Sequence, residues 1–378
     1  MSNDHAGDLV HQLRSKEGKR ISTSSLGRLQ KVATAAARLG ADAVVGKLRG
    51  EEFGLGSLSP DALAKMVESF GELKGVPMKI GQILSYVDAS LGPAARRTLS
   101  VLQVMSQPTA FAEILRIVRD DLGTRGRTLL DRLEREPVAS GSIGQVHRSR
   151  LDDGTHVAVK VRHPGVDEAI RADFKTAAIG TMFVRLTAPG LSLDEVLSEA
   201  QARFLEECDY ALEARRQTRF RTIYAEHPFI AIPAVHSDVC GPRVLTSSWH
   251  DGLGLEGFLT AAPWQAERVR ASRALYEFYV GTLYRHGLFN ADPHPGNLLF
   301  GPDGRVTILD HGCVREFDRD LVAGLVGLSR AVRDDDRAAT QAALSAVGMF
   351  NPSQDFDVTR ALLRGFYAPL VHEGRIAV

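Results

Sequence analysis

Apolar residues recur at helical spacing through the first third of the chain. Val32, Ala36, Leu39, Val44 and Leu48 form one stripe, which Gly40, Gly46 and Gly50 loosen. Leu63, Met66, Val67, Phe70 and Leu73 form a second, starting after Ser59-Pro60-Asp61, a helix-start signal. Both stripes predict helices that turn an apolar face to a core rather than to a membrane. The pattern then changes to strands, predicted near 134–139, 144–151 and 155–162. Asp152-Asp153-Gly154 supplies a hairpin turn between the last two. A long helix is expected from about 194 to about 225, because Leu197, Ala200, Phe204, Cys208, Ala211 and Leu212 recur at three- or four-residue steps. Strands near 232–236 and 243–247 follow. After Ser248-Trp249-His250, read as a hinge, the chain is mostly helical again.

This pattern divides the chain into four regions. Residues 1–28 are polar and loose, and 29–125 form a helical extension. Residues 126–247 form a small lobe with strands, and 248–378 a helical large lobe. A length of 378 residues accommodates two lobes and an extension. A hydrophobic share of 44% and a charged share of 24% are those of a soluble globular protein. The formal net charge is zero, so nothing marks a bulk nucleic-acid binder. Cys208, Cys240 and Cys313 are scattered and odd in number, which suits small core residues in a reducing cytoplasm. Cys313, His294 and His311 match no zinc spacing. The first twenty residues lack the apolar core of a signal peptide. No run of about 18 apolar residues exists either. The nearest, 176–193, is interrupted by Arg185, Pro189 and Gly190, and is read as a core or lobe-linking helix.

Candidate chemistry is concentrated in two places. Asn290-Ala291-Asp292-Pro293-His294-Pro295-Gly296-Asn297 has the Asp-x-x-x-x-Asn spacing of a kinase catalytic loop. Thirteen residues later comes Asp310-His311-Gly312, entered from the strand-like Ile308-Leu309. Phosphoryl transfer needs a carboxylate at the attacking nucleophile and oxygen ligands for the magnesium that bridges the phosphates. Asp292 fits the first role. Asn297 and Asp310 fit the second, since hard cations take carboxylate and amide oxygens. Upstream, Ala139-Ser140-Gly141-Ser142-Ile143-Gly144-Gln145-Val146 follows G-x-G-x-x-G-x-V with Ala139 at the first glycine. Glycines serve there because backbone amides approach phosphate oxygens with no Cβ in the way. Ala139, Ser140, Gly141, Ser142, Gly144 and Val146 are therefore expected at the nucleotide. Val157-Ala158-Val159-Lys160 supplies the strand lysine. Its carboxylate partner is sought on the 194–225 helix, which carries Glu199, Glu206, Glu207, Asp209 and Glu213. Glu207 and Asp209 point about 200° apart on a helix of about 3.6 residues per turn, so they cannot both face Lys160.

With these motifs in order, the chain resembles the UbiB, or ADCK/AarF-like, atypical kinases over roughly residues 60–330. Lys79-Ile80-Gly81-Gln82 looks like the family's K-x-G-Q signature, and 137–147 is similar to its Ala-rich nucleotide loop. Glu207-Cys208-Asp209 looks like its E-x-D motif. Residues 290–297 and 310–312 are similar to its catalytic and metal motifs. The resemblance implies an α+β, two-lobed protein-kinase-like fold whose N-terminal helical extension covers the active site. It implies Lys79, Gly81 and Gln82 in a lid held by E-x-D carboxylates. Asp209 is grouped with that lid, and Glu207 with Lys160 and Asp292 as catalytic. It also implies ATP and Mg2+ as cofactors, and ATPase behaviour in place of ordinary protein phosphorylation. Expected partners are ATP or ADP, with isoprenoid-quinone (ubiquinone) biosynthetic proteins or lipid precursors. The expected setting is cytoplasmic, with peripheral membrane contact and no transmembrane helix. Gly141 departs from the family's run of alanines and opens the choice between ATP and ADP. No arginine precedes Asp292 and no Ala-Pro-Glu follows Asp310, so a peptide-docking activation segment is not expected. Two other readings stay open: a nucleotide-binding pseudokinase scaffold, and a small-molecule phosphotransferase of the aminoglycoside or choline kinase type.

Overall fold

In the computed structural model, which describes residues 108–175, 193–349 and 356–371, the alternating residues after the Gly loop form paired strands. β1 (Ala139–Ser140), β2 (Gly144–Arg150), β3 (His156–Arg162) and β5 (Val244–Ser248) make one antiparallel sheet in the order β1-β2-β3-β5. β2 and β3 pair along their whole length, from Gly144 opposite Arg162 to Arg150 opposite His156. Gly154 closes their turn with φ of 87°, a conformation that costs L side chains dearly. Val157, Val159 and Val161 are fully buried and share a core with Val244. Ile114, Ile117, Val118 and Leu122 of the helix Phe111–Leu122 join them. Each such burial contributes about 1.5–3 kcal/mol. Arg243 ties that helix down through Asp121, its Nε and Nη2 donating to Oδ1 at 2.8 and 2.6 Å.

The described residues fall into two units. The first comprises those of Met1–Ile223 with Pro233–His250, and the second Tyr224–Ile232 with those of Asp251–Val378. The first therefore includes the helix Phe111–Leu122, upstream of the expected start at 126. Several expected elements differ. Of the 134–139 segment only Ala139 pairs in a ladder, together with the following Ser140. Glu134 and Val138 still donate to Arg148 and Val146, but Pro137 between them has no N–H to give. The strand expected at 232–236 is reduced to one bridge, Val235 opposite Ser247, and Pro233 interrupts it. The neighbouring β4 (Ile230–Ala231) pairs in the second unit instead.

The helix expected over 194–225 is two helices, Leu193–Glu206 and Tyr210–Ile223. Asp209 explains the break. Its Oδ1 accepts the Leu212 N–H at 2.9 Å, an N-cap that starts a new helix. Arg162 donates to the Cys208 carbonyl at 2.7 Å, satisfying an acceptor that the first helix leaves behind.

In the second unit, β7 (Leu298–Phe300) pairs with β8 (Val306–Ile308), which takes β4 on its other edge. β6 (Leu288–Asn290) pairs with β9 (Val314–Glu316). Gly287, with φ of 64°, ends the helix Thr282–His286 just before β6, and a Cβ there would run into the Phe317 carbonyl. The helices Arg319–Arg333, Arg337–Ala346 and Phe356–Val371 enclose Leu328, Val332, Leu344, Phe356 and Tyr367. Asp318 and Asp336 cap the first two. Among the described residues no helix is long and apolar enough to cross a membrane. Lys79, Gly81 and Gln82, the extension that carries them, and 176–192 lie outside the described residues.

Candidate active site

Strand register brings several of the expected first-unit residues together. Ala139 lies opposite Val146, Val146 opposite Lys160, and Lys160 opposite Leu245. Directly paired residues project on the same face of a sheet, so Ala139, Val146 and Lys160 share one. The opposite face carries Gln145 and Val161, buried toward the core. Lys160 Nζ donates to both carboxylate oxygens of Glu213, at 2.7 and 2.9 Å. The Glu213 side chain is 2% exposed and that of Lys160 is 25% exposed. The ammonium also stands over the Tyr210 ring, 5.2 Å from its centroid.

Glu213 therefore fills the position expected for Glu207. Glu207 and Asp209 lie in the break between the two helices, where Asp209 caps the second. Glu213 sits on the first turn of that helix, whose face toward the sheet is buried. It was one of five carboxylates within the helical pattern. The cap at Asp209 is the signal that singles it out, because it puts Glu213 one turn inside a new helix.

The two glycines of the nucleotide loop differ. Gly141 donates to the Gly144 carbonyl at 2.8 Å across the turn. Its φ is not left-handed, and a Cβ there would meet its nearest neighbour at 3.7 Å, so the protein itself leaves room for a side chain at Gly141. At Gly144 a Cβ would lie 2.5 Å from the Val161 carbonyl oxygen and collide with the Tyr210 hydroxyl. The close approach that requires glycine is thus to the protein's own backbone. Ser140 and Ser142 are buried, and Ala139 is exposed.

Buried polar residues that the motif reading passed over hold this loop. His163 is 1% exposed; its Nε2 donates to the Gly141 carbonyl at 3.1 Å and its Nδ1 accepts from the Thr109 hydroxyl at 2.8 Å. Gln145 accepts the Thr109 N–H at 2.6 Å and contacts His147 Nε2 at 2.8 Å. His147 Nδ1 donates to the Glu134 carbonyl, also at 2.8 Å. This makes His147 a neutral imidazole, and burial lowers its pKa below the ordinary value. Burial pushes the Cys208 thiol up to about 12, so it behaves as a core residue.

In the second unit the expected residues are placed by short-range bonds. Asp292 follows β6, and its N–H donates to Asn290 Oδ1 at 3.0 Å. Asn290 is 2% exposed, and its Nδ2 donates to the Asp310 carbonyl at 2.9 Å. One amide thus ties the Asp292 loop to the Asp310 loop, a function that the motif reading did not assign to it. His294 accepts the Gly296 N–H at 2.9 Å and caps the turn Pro295–Asn297. Asn297 precedes β7 and Asp310 follows β8. The register of these strands brings the two together, with the Leu309 N–H donating to the Asn297 carbonyl at 2.9 Å. Asp310 Oδ1 accepts the Gly312 N–H at 2.8 Å. His311 is fully buried and meets Phe278 edge to face.

Among the described residues, no group of three or more His, Cys, Asp or Glu is arranged to hold a metal alone. Asn297 and Asp310 stand on segments that the Leu309–Asn297 backbone bond joins, and their amide and carboxylate oxygens are of the type that fits Mg2+ shared with phosphates, which keeps most of its ligands outside the protein.

The family model described as "ABC1 atypical kinase-like domain" matches residues 101–344, well over half of the chain. "Atypical kinase COQ8B, mitochondrial" of Rattus norvegicus is 31% identical over 276 residues, 72% of this chain and 52% of that one. "Atypical kinase COQ8, mitochondrial" of Saccharomyces cerevisiae is 27% identical over 267 residues, 70% and 53% respectively. The chain thus spans about half the length of these curated relatives. A solved structure, "The complex structure of Rv3197-erythromycin from Mycobacterium tuberculosis", matches with a TM-score of 0.59 at 27% identity. That match covers 90% of this chain and 81% of the other.

Proposed function

The chain belongs to the ABC1 atypical kinase-like, or UbiB, family, and from that premise we propose that it binds Mg-ATP and transfers or hydrolyses the terminal phosphoryl group. Its fold is the kinase-like α+β fold expected from the sequence. The observation that carries the proposal is the Lys160–Glu213 pair, a buried carboxylate holding a strand lysine beside a Gly loop. That arrangement suits a lysine that reaches nucleotide phosphates. Backbone amides of the 139–144 loop would cover those phosphates. Asn297 and Asp310 would hold Mg2+, which when bound neutralises charge on the phosphates. Asp292 would accept the proton of the attacking hydroxyl or water. Lys79, Gly81 and Gln82 would form a lid that excludes bulky protein substrates, with Asp209 helping to hold it. Glu207 is assigned to that support as well, since Glu213 occupies the lysine.

The proposed role is support of isoprenoid-quinone or lipid biosynthesis, in contact with its enzymes or lipid precursors at a membrane surface. The proposed setting is the cytoplasm, which keeps Cys208, Cys240 and Cys313 reduced. A second reading, phosphotransfer to a small molecule, draws on the erythromycin complex of the mycobacterial relative.

Nucleotide chemistry tests the proposal. Asp310→Ala should abolish Mg-dependent ATP binding or turnover. Lys160→Ala should weaken binding and cut turnover. Asp292→Asn should spare binding and lower turnover about 10²–10⁴-fold. Wild-type hydrolysis in all three variants would end the kinase reading and favour a binding scaffold. Quinone profiling of a deletion strain complemented with Asp310→Ala tests the pathway.

A further inference from the structure

The helix Gln265–Tyr276 is followed by a single π turn, Glu277–Gly281, before Thr282–His286 resumes α geometry. A π turn adds one residue to the helical repeat and re-aims the side chains on it, and such turns are frequent at functional sites. Tyr279 stands at its centre. Its ring meets Phe278 edge to face at 5.0 Å, and Phe278 meets His311, the neighbour of Asp310, at 6.2 Å.

The Tyr279 hydroxyl is buried and has no hydrogen-bond partner among the described residues. Tyr224, packed on the same Phe278, shows the ordinary arrangement, its hydroxyl bonded to the Glu277 carbonyl and the Thr282 hydroxyl. Buried tyrosines normally find such partners, because a dry unsatisfied hydroxyl destabilises the fold. A purely structural role therefore favours phenylalanine at 279. Burial, and after it the negative charges of Asp292 and Asp310, raise the phenol's pKa above its ordinary value, so the hydroxyl is a neutral donor.

We propose that Tyr279 is a ligand-binding residue of the candidate site, its hydroxyl donating a hydrogen bond to a phosphate oxygen of the nucleotide held at Asp292 and Asp310. The inference rests on the Mg-ATP reading above. A hydroxyl donating to an anionic phosphate makes a charge-assisted bond, stronger than one between neutral groups. It also gives the buried oxygen the partner that the protein does not supply.

Tyr279→Phe tests this, since it removes one oxygen and keeps the ring. Without nucleotide, the variant should melt at the wild-type temperature or higher. Its Kd for Mg-ATP, measured by calorimetry, should rise about 10-fold or more. The rise in melting temperature on adding Mg-ATP should shrink accordingly. A variant that melts lower and binds Mg-ATP like wild type would show a structural hydroxyl and overturn the inference. So would unchanged Mg-ATP binding with unchanged melting. Absence of Mg-ATP binding by the wild-type protein would overturn the underlying reading together with the inference.

Discussion

The two units carry complementary parts of the candidate chemistry and build them by opposite means. In the first, Lys160 and Glu213 are 53 residues apart in sequence, and His163 and Thr109 are 54 apart. Placing them requires the sheet and two helices to be packed already. In the second, the bonds to Asp292, Asp310 and His294 each span two residues. Such side-chain-to-backbone turns form wherever the local sequence allows them. Longer bonds then join these segments: Asn290 to Asp310, 20 residues apart, and Leu309 to Asn297. The difference teaches that a motif recognised by spacing marks a locally built site. A site built by packing can be missed by one helical turn.

Glu213→Ala should give the largest effect. It removes the buried carboxylate that holds Lys160, and the loss should lie at the lower end of about 3–5 kcal/mol, because Lys160 is a quarter exposed and water recovers part of it. Urea denaturation measures it, alongside a steep fall in nucleotide turnover. Glu207→Gln should cost less stability than Glu213→Ala, since Glu207 is only half-buried. A reversal of these two results would break the assignment of the lysine's partner.

Gly144→Ala should destabilise by about 1–3 kcal/mol, because its Cβ meets the fixed β3 backbone. Gly141→Ala should leave the melting temperature nearly unchanged, and should act instead on the ratio of ATP to ADP affinity. Equal melting losses in both would show that the loop is packed differently from the geometry above.

Asn290→Ala should lower stability by about 1–2 kcal/mol and also reduce turnover, since both aspartate loops lose their shared amide. Asn290→Asp keeps the acceptor for the Asp292 N–H but sets a buried carboxylate against the Asp310 carbonyl, so it should destabilise at least as much. If it is instead the milder variant, the bond from the Asp292 N–H is the one that matters.

The smallest effect is that of pH through His147. Burial depresses its folded-state pKa, so the unfolded chain takes up the proton first as pH falls. Its contribution is fully present above about pH 6.5, the ordinary histidine value, and is lost as pH drops through the lower folded value. Melting temperature should therefore fall below about pH 6.5, and the slope should be shallower in His147→Asn. His227 in the other unit is shifted the same way by burial, so the slope should shrink without vanishing.

Asp292, Asn297 and Asp310 could be named as candidates from spacing, and the β2–β3 hairpin from alternation around Asp152-Asp153-Gly154. These features depend on short-range sterics and on hydrogen bonds between near neighbours in the chain. Lys160 could be named from its strand. Its partner could not be, since five carboxylates shared one helical pattern and only the break at Asp209 turns Glu213 toward the sheet. Likewise two glycines looked equivalent in the loop, and only the approach of Val161 and Tyr210 makes Gly144 the one that admits no side chain. The buried face of a helix, or the space beside a glycine, is decided by residues far away in sequence. Their positions exist only once the apolar core has collapsed around them.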